Sequence, residues 1–222
     1  MTGGIQWKVC GLRRGEDARL AADLGADFLG FILYEKSPRY LALDDYVAGA
    51  AGWPVGPRRV AVLVEPTVAR LTEVAAAGFA YFQIHARHDL DVARVAEWSS
   101  LVGPERLWLA PKLPPGAVFP KDWMPLAETF LADTYHAEGF GGSGRTGDWG
   151  GFASLAASFP GKRWILAGGL GPDNLFEALA RSGAGFIDVN SGVESAPGVK
   201  SADRLRALAV RLAEARQGGM RA

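Results

Sequence analysis

The chain contains 222 residues, of which 49% are apolar and 22% are charged, and its 24 basic and 24 acidic side chains give a formal net charge of zero. This composition excludes an intrinsically disordered or collagen-like protein. A zero net charge offers no general attraction to nucleic acid or to an anionic membrane, so we expect neither as a partner.

The single cysteine, Cys10, excludes an intrachain disulfide and is typical of a protein from a reducing compartment. The first residues lack the charged and apolar regions of a secretory signal, and no apolar run approaches the ~18 residues of a membrane-spanning helix. We therefore expect a soluble, cytoplasmic protein.

Short apolar runs of strand-forming residues recur along the chain, and their starts lie roughly 22 to 35 residues apart, which is about the size of one strand–helix unit. These predicted strands are Ile5–Cys10, Phe28–Leu33, Arg59–Val64, Tyr81–His85, Leu107–Leu113, Thr129–Asp133, Trp164–Ala167 and Phe186–Asn190. Segments of helical period lie between them, and the clearest are Glu16–Leu24, Thr67–Ala77, Asp173–Arg181 and Ala202–Ala215. After the fifth strand, prolines bracket Lys121–Met124, so only a short or irregular turn is expected there.

Eight such units with no linker between them allow either a closed (β/α)8 barrel or an open, doubly wound sheet. The count of eight and the even spacing favour the barrel. Polar side chains also stand near the carboxyl ends of three strands, at Lys8 and Cys10, at Gln83 and His85, and at Asp133. Since those ends meet at the one face where barrel enzymes place their active sites, we predict an α/β fold with a single TIM barrel over residues 1–222.

Cys10 ends the first predicted strand, and Lys8 stands two residues earlier on the same face. An ammonium close to a thiol favours the thiolate, so we expect Cys10 to be a base or nucleophile near neutral pH. The alternative is a buried cysteine that acts only as a small apolar side chain.

Asp133 ends the sixth predicted strand, where a carboxylate either caps the following loop or acts as an acid. Together with Cys10 it would supply one group to donate a proton and one to remove a proton at the same mouth. Asp188 is either a further acid behind the site or a group satisfied in the core. His85 and His88 lack companions at metal-ligand spacing, so no metal site is predicted.

Glycine-rich segments follow the last three predicted strands, and loops at these positions of a barrel often hold a phosphate on backbone N–H groups. The predicted phosphate-binding residues are Gly141, Gly142, Ser143, Gly144, Gly168, Gly169, Asn190, Ser191 and Gly192. The first segment also matches two nucleotide-binding glycine patterns in part. It lacks the lysine of one and the distant acidic residue of the other, so we reject both interpretations.

Arg39 lies in a loop after the second strand that Pro38 stiffens. A guanidinium can bind a carboxylate through two parallel hydrogen bonds, so Arg39 is a candidate for recognition of a carboxylate. A solvated loop charge is the alternative.

Seven phrases in the same order resemble the phosphoribosylanthranilate isomerase family of tryptophan biosynthesis. They are Lys8–Gly11, Leu29–Tyr34, Lys36–Tyr40, Phe82–His85, Gly141–Thr146, Leu166–Leu170 and Asp188–Glu194. The sequence departs from the family pattern at four places: Ala86 stands for a glycine, Arg145 for a lysine, Asn190 for a serine, and Glu65 for an asparagine.

The resemblance implies a (β/α)8 barrel that catalyses the Amadori rearrangement of N-(5-phosphoribosyl)anthranilate to the 1-deoxyribulose 5-phosphate form. It implies that Asp133 protonates the ring oxygen, that Cys10 as thiolate removes the C2 proton, and that Arg39 binds the anthranilate carboxylate. Other expected contacts of this small phosphorylated substrate are Lys8, Gln83, His85 and Asp188. No cofactor or metal is implied, and a monomer or a homodimer is expected.

Two alternatives stay open at this point. One is a related phosphate-binding barrel such as the histidine-pathway sugar isomerase, although that family carries an aspartate where Cys10 stands. The other is a catalytically silent barrel that binds a phosphorylated metabolite, against which the presence of both Cys10 and Asp133 argues.

Overall fold

Eight parallel strands form a closed barrel in the order β1 to β8 in the structure, a computed structural model that describes residues 4–114, 116–133 and 148–217. The strands are β1 Gln6–Val9, β2 Phe28–Ile32, β3 Arg58–Val64, β4 Tyr81–Arg87, β5 Leu107–Lys112, β6 Thr129–Ala132, β7 Arg163–Leu166 and β8 Phe186–Val189. The prediction of a closed barrel is confirmed, and each of the eight predicted strands coincides with an observed one.

Helices connect the strands on the outside of the barrel. Within the described residues they are α1 Gly15–Asp23, α2 Leu43–Ala48, α3 Val68–Ala76, α4 Val92–Val102, α5 Trp149–Ser158, α6 Leu175–Ser182 and α7 Ala202–Gln217. The segment between β5 and β6 is a short 3₁₀ turn, Lys121–Leu126, because Pro125 lies inside it. This agrees with the irregular turn that the prolines predict.

Most residues on both faces of the strands are apolar, because each strand is covered on both sides. In β2, Leu29 and Phe31 point outward and pack against the helices, whereas Phe28 points into the barrel. The side chains of these three residues are completely buried. The same alternation places every second residue of the other strands inside the barrel.

The amino-terminal half of the barrel interior is filled by aromatic rings. Phe28, Tyr81, Trp108 and Phe186 lie with their ring centroids 5.0 to 5.7 Å apart. Arg58 closes this end, with its guanidinium carbon 4.5 Å from the centre of the Phe28 ring and one N–H donated to the Tyr81 hydroxyl. This half of the barrel is therefore a packed core with no room for a ligand.

A small antiparallel hairpin follows β8 and precedes the last helix. It consists of β9 Glu194–Ala196 and β10 Val199–Lys200. The hairpin was not predicted from the sequence, because strands of three and two residues are too short to show alternation. Among the helices in the described part of the chain, none is long and apolar enough to cross a bilayer.

Candidate active site

A cavity opens at the carboxyl ends of the barrel strands, and most of the predicted site residues line it. Its wall is formed by Cys10, Ile32, Val62, Gln83, His85, Leu131, Asp133, Ala167, Gly168, Gly169, Asp188, Asn190 and Ser191. Cys10 comes from the end of β1, and Asp133 comes from the end of β6, three strands away around the barrel. The closed sheet therefore brings to one cavity two groups that are 123 positions apart in the sequence.

The floor of the cavity is a buried hydrogen-bonded chain centred on Lys8. The Lys8 ammonium donates to Asp188 Oδ2 at 2.7 Å and to Gln83 Oε1 at 2.8 Å, and its side chain is completely buried. Burial alone would lower the pKa of Lys8, but the charge of Asp188 and the nearby thiol of Cys10 outweigh it and raise that pKa. Asp188 therefore favours the charged form of Lys8 beneath the site.

Gly30 of β2 makes room for this cation. A Cβ at Gly30 would lie 2.7 Å from Lys8 Cε, closer than real Cβ contacts come, and 3.0 Å from the Cys10 sulfur, which is a tight contact. The strand therefore needs a glycine at this inward position. A glycine inside a strand pattern is a known sign of close approach, yet the sequence analysis gave Gly30 no role.

The Cys10 thiol is less acidic than the sequence analysis expected. Its side chain is only 4% exposed, and burial raises the pKa of Cys10 more than the charge of Lys8 lowers it, while Asp188 raises it further. The prediction that Lys8 lowers the pKa of Cys10 overall is therefore wrong. A sequence can show that Lys8 shares a face with Cys10, but it cannot show how far both are removed from water.

His85 is held neutral by the same chain. Gln83 accepts from Lys8 through its oxygen, so its amide nitrogen faces His85 Nε2 at 2.8 Å and donates to it. Burial and then the charge of Lys8 lower the pKa of His85 to about 4. His85 consequently presents a neutral ring with the proton on Nδ1, and it can donate a hydrogen bond to a ligand.

Two of the three predicted phosphate loops lie in the described part of the chain. Gly168 and Gly169 after β7 adopt φ values of +93° and +63°, which favour glycine. Asn174 shapes this loop by accepting from the N–H of Gly171 and donating to the carbonyl of Gly169. The N–H groups of Gly168 and Gly169 have no acceptor among the described residues, so they are available to an anion.

After β8, Asn190 and Ser191 line the cavity, whereas Gly192 does not. A Cβ at Gly192 would collide with the carbonyl of Leu170, so this glycine serves the close packing of the two loops. Gly141, Gly142, Ser143 and Gly144, predicted for the third loop, lie outside the described residues, as does Arg145.

Arg39 lies beside the cavity and is bound by a carboxylate of the protein itself. Its Nε and Nη2 donate to Glu194 of β9 at 2.8 to 3.0 Å. Lys200 of β10 also donates to Glu194, at 3.0 Å, and to the side-chain oxygen of Asn190 at 2.9 Å. Glu194 and Lys200 were not predicted as site residues, because only the hairpin brings them to Arg39.

Residues 7–210 match the family model described as N-(5'-phosphoribosyl)anthranilate (PRA) isomerase. The chain belongs to the N-(5'-phosphoribosyl)anthranilate isomerase family. The resemblance seen in the seven phrases is thereby confirmed, and the chain is placed among the isomerases.

Individual relatives agree with this placement. The N-(5'-phosphoribosyl)anthranilate isomerase of Synechococcus elongatus is 34% identical over 210 residues, which cover 92% of this chain and 94% of the relative. The crystal structure of phosphoribosyl anthranilate isomerase from Thermus thermophilus is 34% identical, with a TM-score of 0.79 over 95% of this chain and 99% of that one. A structure of monomers of the dimeric enzyme from Thermotoga maritima is 25% identical, with a TM-score of 0.71 over 96% of this chain and 99% of that one.

Proposed function

We propose that this chain converts N-(5'-phosphoribosyl)anthranilate to its 1-deoxyribulose 5-phosphate isomer in tryptophan biosynthesis, with Asp133 as the acid and Cys10 as the base. The observation that carries the proposal is that these two residues, from β6 and β1, line the same cavity of a family barrel. A rearrangement that moves protons needs one donor and one acceptor on the two sides of the sugar.

The chemistry divides into two proton transfers. Asp133 protonates the furanose ring oxygen while the bond from that oxygen to C1 breaks, and the anilino nitrogen supplies the electron pair for a Schiff base. Cys10 then removes the proton from C2, which gives an enolamine that tautomerises to the ketone. The scheme needs only proton transfers, so neither a metal nor a cofactor enters it.

The raised pKa of Cys10 makes its thiolate a stronger base but lowers the fraction of the thiol that is ionised. Lys8 lies below the sulfur and stabilises the thiolate when it forms. Because both groups are nearly removed from water, that interaction is stronger than it would be in solvent.

Residues at the rim of the cavity are proposed to hold the two charged groups of the substrate. Arg39 binds the anthranilate carboxylate, and the N–H groups of Gly168 and Gly169, with Ser191 and Asn190, contribute to binding of the phosphate.

The floor of the cavity supplies the remaining contacts. Asp188 Oδ1 is buried and has no hydrogen-bond partner in the described part of the chain, so we assign it to a substrate hydroxyl. His85 donates from Nδ1. Lys8 and Gln83 hold these two side chains in position.

Two isosteric variants test the assignment. Cys10→Ser and Asp133→Asn should each lower kcat/KM by about 10²- to 10⁴-fold, because each removes one proton-transfer group. The assay follows the loss of fluorescence of freshly prepared phosphoribosylanthranilate, and binding of a product analogue is measured in parallel. Asp203→Asn, on the exposed face of α7, is the matched control and should keep the wild-type rate.

The expected pattern is that both variants bind the product analogue and fail to turn over the substrate. Wild-type activity of Cys10→Ser would exclude Cys10 as the base, and wild-type activity of Asp133→Asn would exclude Asp133 as the acid. Binding without turnover by the unmodified protein would favour the silent barrel instead.

We also infer that residues 1–222 form one catalytic domain, since the barrel strands extend from residue 6 to residue 189. A homodimer is the assembly we favour over a monomer, by analogy with the dimeric Thermotoga maritima relative. Sedimentation equilibrium tests it. The cytoplasmic location stays a prediction from the lone cysteine.

A further inference from the structure

Glu194 is a buried carboxylate shared by two cations at the edge of the proposed site. Its side chain is 5% exposed and accepts from Arg39 Nε and Nη2, from Lys200 Nζ at 3.0 Å and from the N–H of Gly198 at 3.1 Å. Burial alone would raise the pKa of Glu194, but the hydrogen bonds from Arg39 and the charge of Lys200 outweigh it and lower that pKa. Arg39 and Lys200 therefore favour the ionised form of Glu194.

The anchoring of Glu194 makes it a fixed support for Arg39. Lys200 is itself buried, and it also donates to the carbonyl and side-chain oxygens of Asn190 at the end of β8. Gly198 holds the same carboxylate from the turn of the hairpin. Glu194 is thus tied to the barrel independently of Arg39, whereas Arg39 belongs to the loop after β2.

Arg39 is left with unused donors. A guanidinium carries five N–H groups, and Glu194 takes one from Nε and one from Nη2. Nη1 donates no hydrogen bond to any residue in the described ranges. The side chain crosses next to the cavity, since a Cβ at Gly11, the residue after Cys10, would lie 2.9 Å from Arg39 Cδ.

The net charge of the cluster formed by Arg39, Lys200 and Glu194 favours the binding of one carboxylate. Arg39 and Lys200 carry two positive charges and Glu194 carries one negative charge, so the cluster keeps a net charge of +1. A ligand carboxylate makes it neutral. Without Glu194, two cations would share a poorly hydrated region, and Arg39 would gain by turning toward solvent.

We propose that Glu194 is a positioning residue that holds the guanidinium of Arg39 so that its unused edge receives the carboxylate of the anthranilate ring, which makes Glu194 a determinant of specificity for a 2-carboxyphenyl group. This inference rests on the proposed role of Arg39. The bidentate contact to Glu194 restricts the plane of the guanidinium, and a preoriented fork loses less conformational freedom when a second carboxylate binds.

The test compares two probes that differ by one group. The first is the reduced product analogue with its carboxylate, and the second is the same molecule with a plain phenyl ring. The ratio of their dissociation constants measures how much the carboxylate contributes to binding. In the wild type we expect a ratio of about 10 to 100, the range for a charge-assisted bidentate hydrogen bond.

Arg39→Ala should reduce that ratio to near one. Glu194→Gln should reduce it at least about fivefold while the affinity for the phenyl probe stays unchanged, because only the orientation of Arg39 is lost. The double variant Arg39→Ala with Glu194→Gln should match Arg39→Ala alone, since Glu194 acts through Arg39. Glu177→Gln, an exposed carboxylate paired with Arg181, is the matched control and should keep the wild-type ratio.

The outcomes distinguish the role of Arg39 from the role of Glu194. A wild-type ratio in Arg39→Ala shows that Arg39 does not bind the carboxylate, and the proposed function loses that contact. A collapsed ratio in Arg39→Ala together with a wild-type ratio in Glu194→Gln overturns the role of Glu194 alone. An equal loss of both probes in Glu194→Gln also overturns it, because that result shows a general structural role.

Glu194→Gln leaves Lys200 buried without its counter-ion, which could prevent this variant from folding. A second variant keeps the proposal testable in that case. The pair Glu194→Gln with Lys200→Met removes one charge of each sign. The paired variant should show the same reduced ratio as expected for Glu194→Gln. A wild-type ratio in the paired variant overturns the proposal.

Discussion

The two halves of the barrel interior are built from the same strands and have opposite chemistry. The amino-terminal half holds the rings of Phe28, Tyr81, Trp108 and Phe186, packed edge to face or stacked. The carboxyl-terminal half holds an ion pair, a glutamine and a thiol, all nearly removed from water. Both halves obey one alternation of inward and outward side chains, so position along the strand decides whether an inward residue serves stability or chemistry.

The difference shows how one fold keeps the residues that stabilise the barrel apart from the residues that serve its chemistry. Aromatic packing stabilises the barrel without any requirement on charge, and edge-to-face ring pairs add a little to the burial of their area. A buried ion pair adds little net stability, because desolvation offsets attraction, yet it keeps a charge in place beneath a thiol. Changes in the amino-terminal (lower) half should therefore alter stability alone. Changes in the carboxyl-terminal (upper) half should alter stability and activity together.

The largest effect is expected for Lys8→Met. This change leaves Asp188 buried without its cation, so we expect a loss of about 3–5 kcal/mol in the free energy of unfolding. Activity should fall as well, because the thiolate of Cys10 loses its counter-charge. Urea unfolding and kcat/KM measure the two effects.

The double variant Lys8→Met with Asp188→Asn is the control for Lys8→Met. It should recover part of the stability, since no unpaired charge remains, and none of the activity. Recovery of activity in the double variant would contradict a role for the charge of Lys8.

A matching change in the lower half is Trp108→Ala, for which we expect a loss of about 3–5 kcal/mol of stability with kcat unchanged in the folded protein. Trp108→Phe should cost much less, because the Trp108 N–H is buried without a hydrogen-bond partner in the described part of the chain. Thermal unfolding and initial rates check both variants. A large fall in kcat for Trp108→Phe would show that the two halves are not independent.

At the boundary between the halves, Gly30→Ala should cost about 1–3 kcal/mol of stability, because the added methyl group meets Lys8 and Cys10 in a packed interior. Activity should also fall, since either neighbour must move. Gly25→Ala is no suitable control, because Gly25 has a φ of +86°. The control is Ala61→Gly, on the outward face of β3, which changes a buried barrel residue and leaves the ion pair untouched.

The smallest expected effect is a pH dependence of stability that comes from His85. Its pKa is lowered to about 4 in the folded protein, so the unfolded chain binds a proton more readily between pH 6.5 and 4. Stability is fully present above about pH 6.5 and falls as the pH drops toward 4, by about 1–2 kcal/mol after allowance for partial exposure. Denaturant unfolding of the wild type and of His85→Gln, compared across this range, isolates the contribution, and identical pH profiles would disprove it.

Much of the fold and the site could be predicted from local patterns. Alternation of apolar residues predicts the strands, and Pro125 predicts the turn after β5 instead of a helix. Cys10 and Asp133 were recognised because each ends a strand, and parallel strands in a closed barrel all end at one face. The small hairpin after β8 was missed, because its strands are too short to carry a period.

Residue identity and order along the chain determined the barrel, the thiol and the carboxyl at its mouth, and the family, since each depends on spacing that is visible without coordinates. Only the tertiary structure decided that burial outweighs Lys8 and raises the pKa of Cys10, and that Glu194 holds Arg39 across 155 positions of sequence. The reason is physical: the energy of a charge depends on its distance from water and from other charges, and the folded chain alone sets those distances.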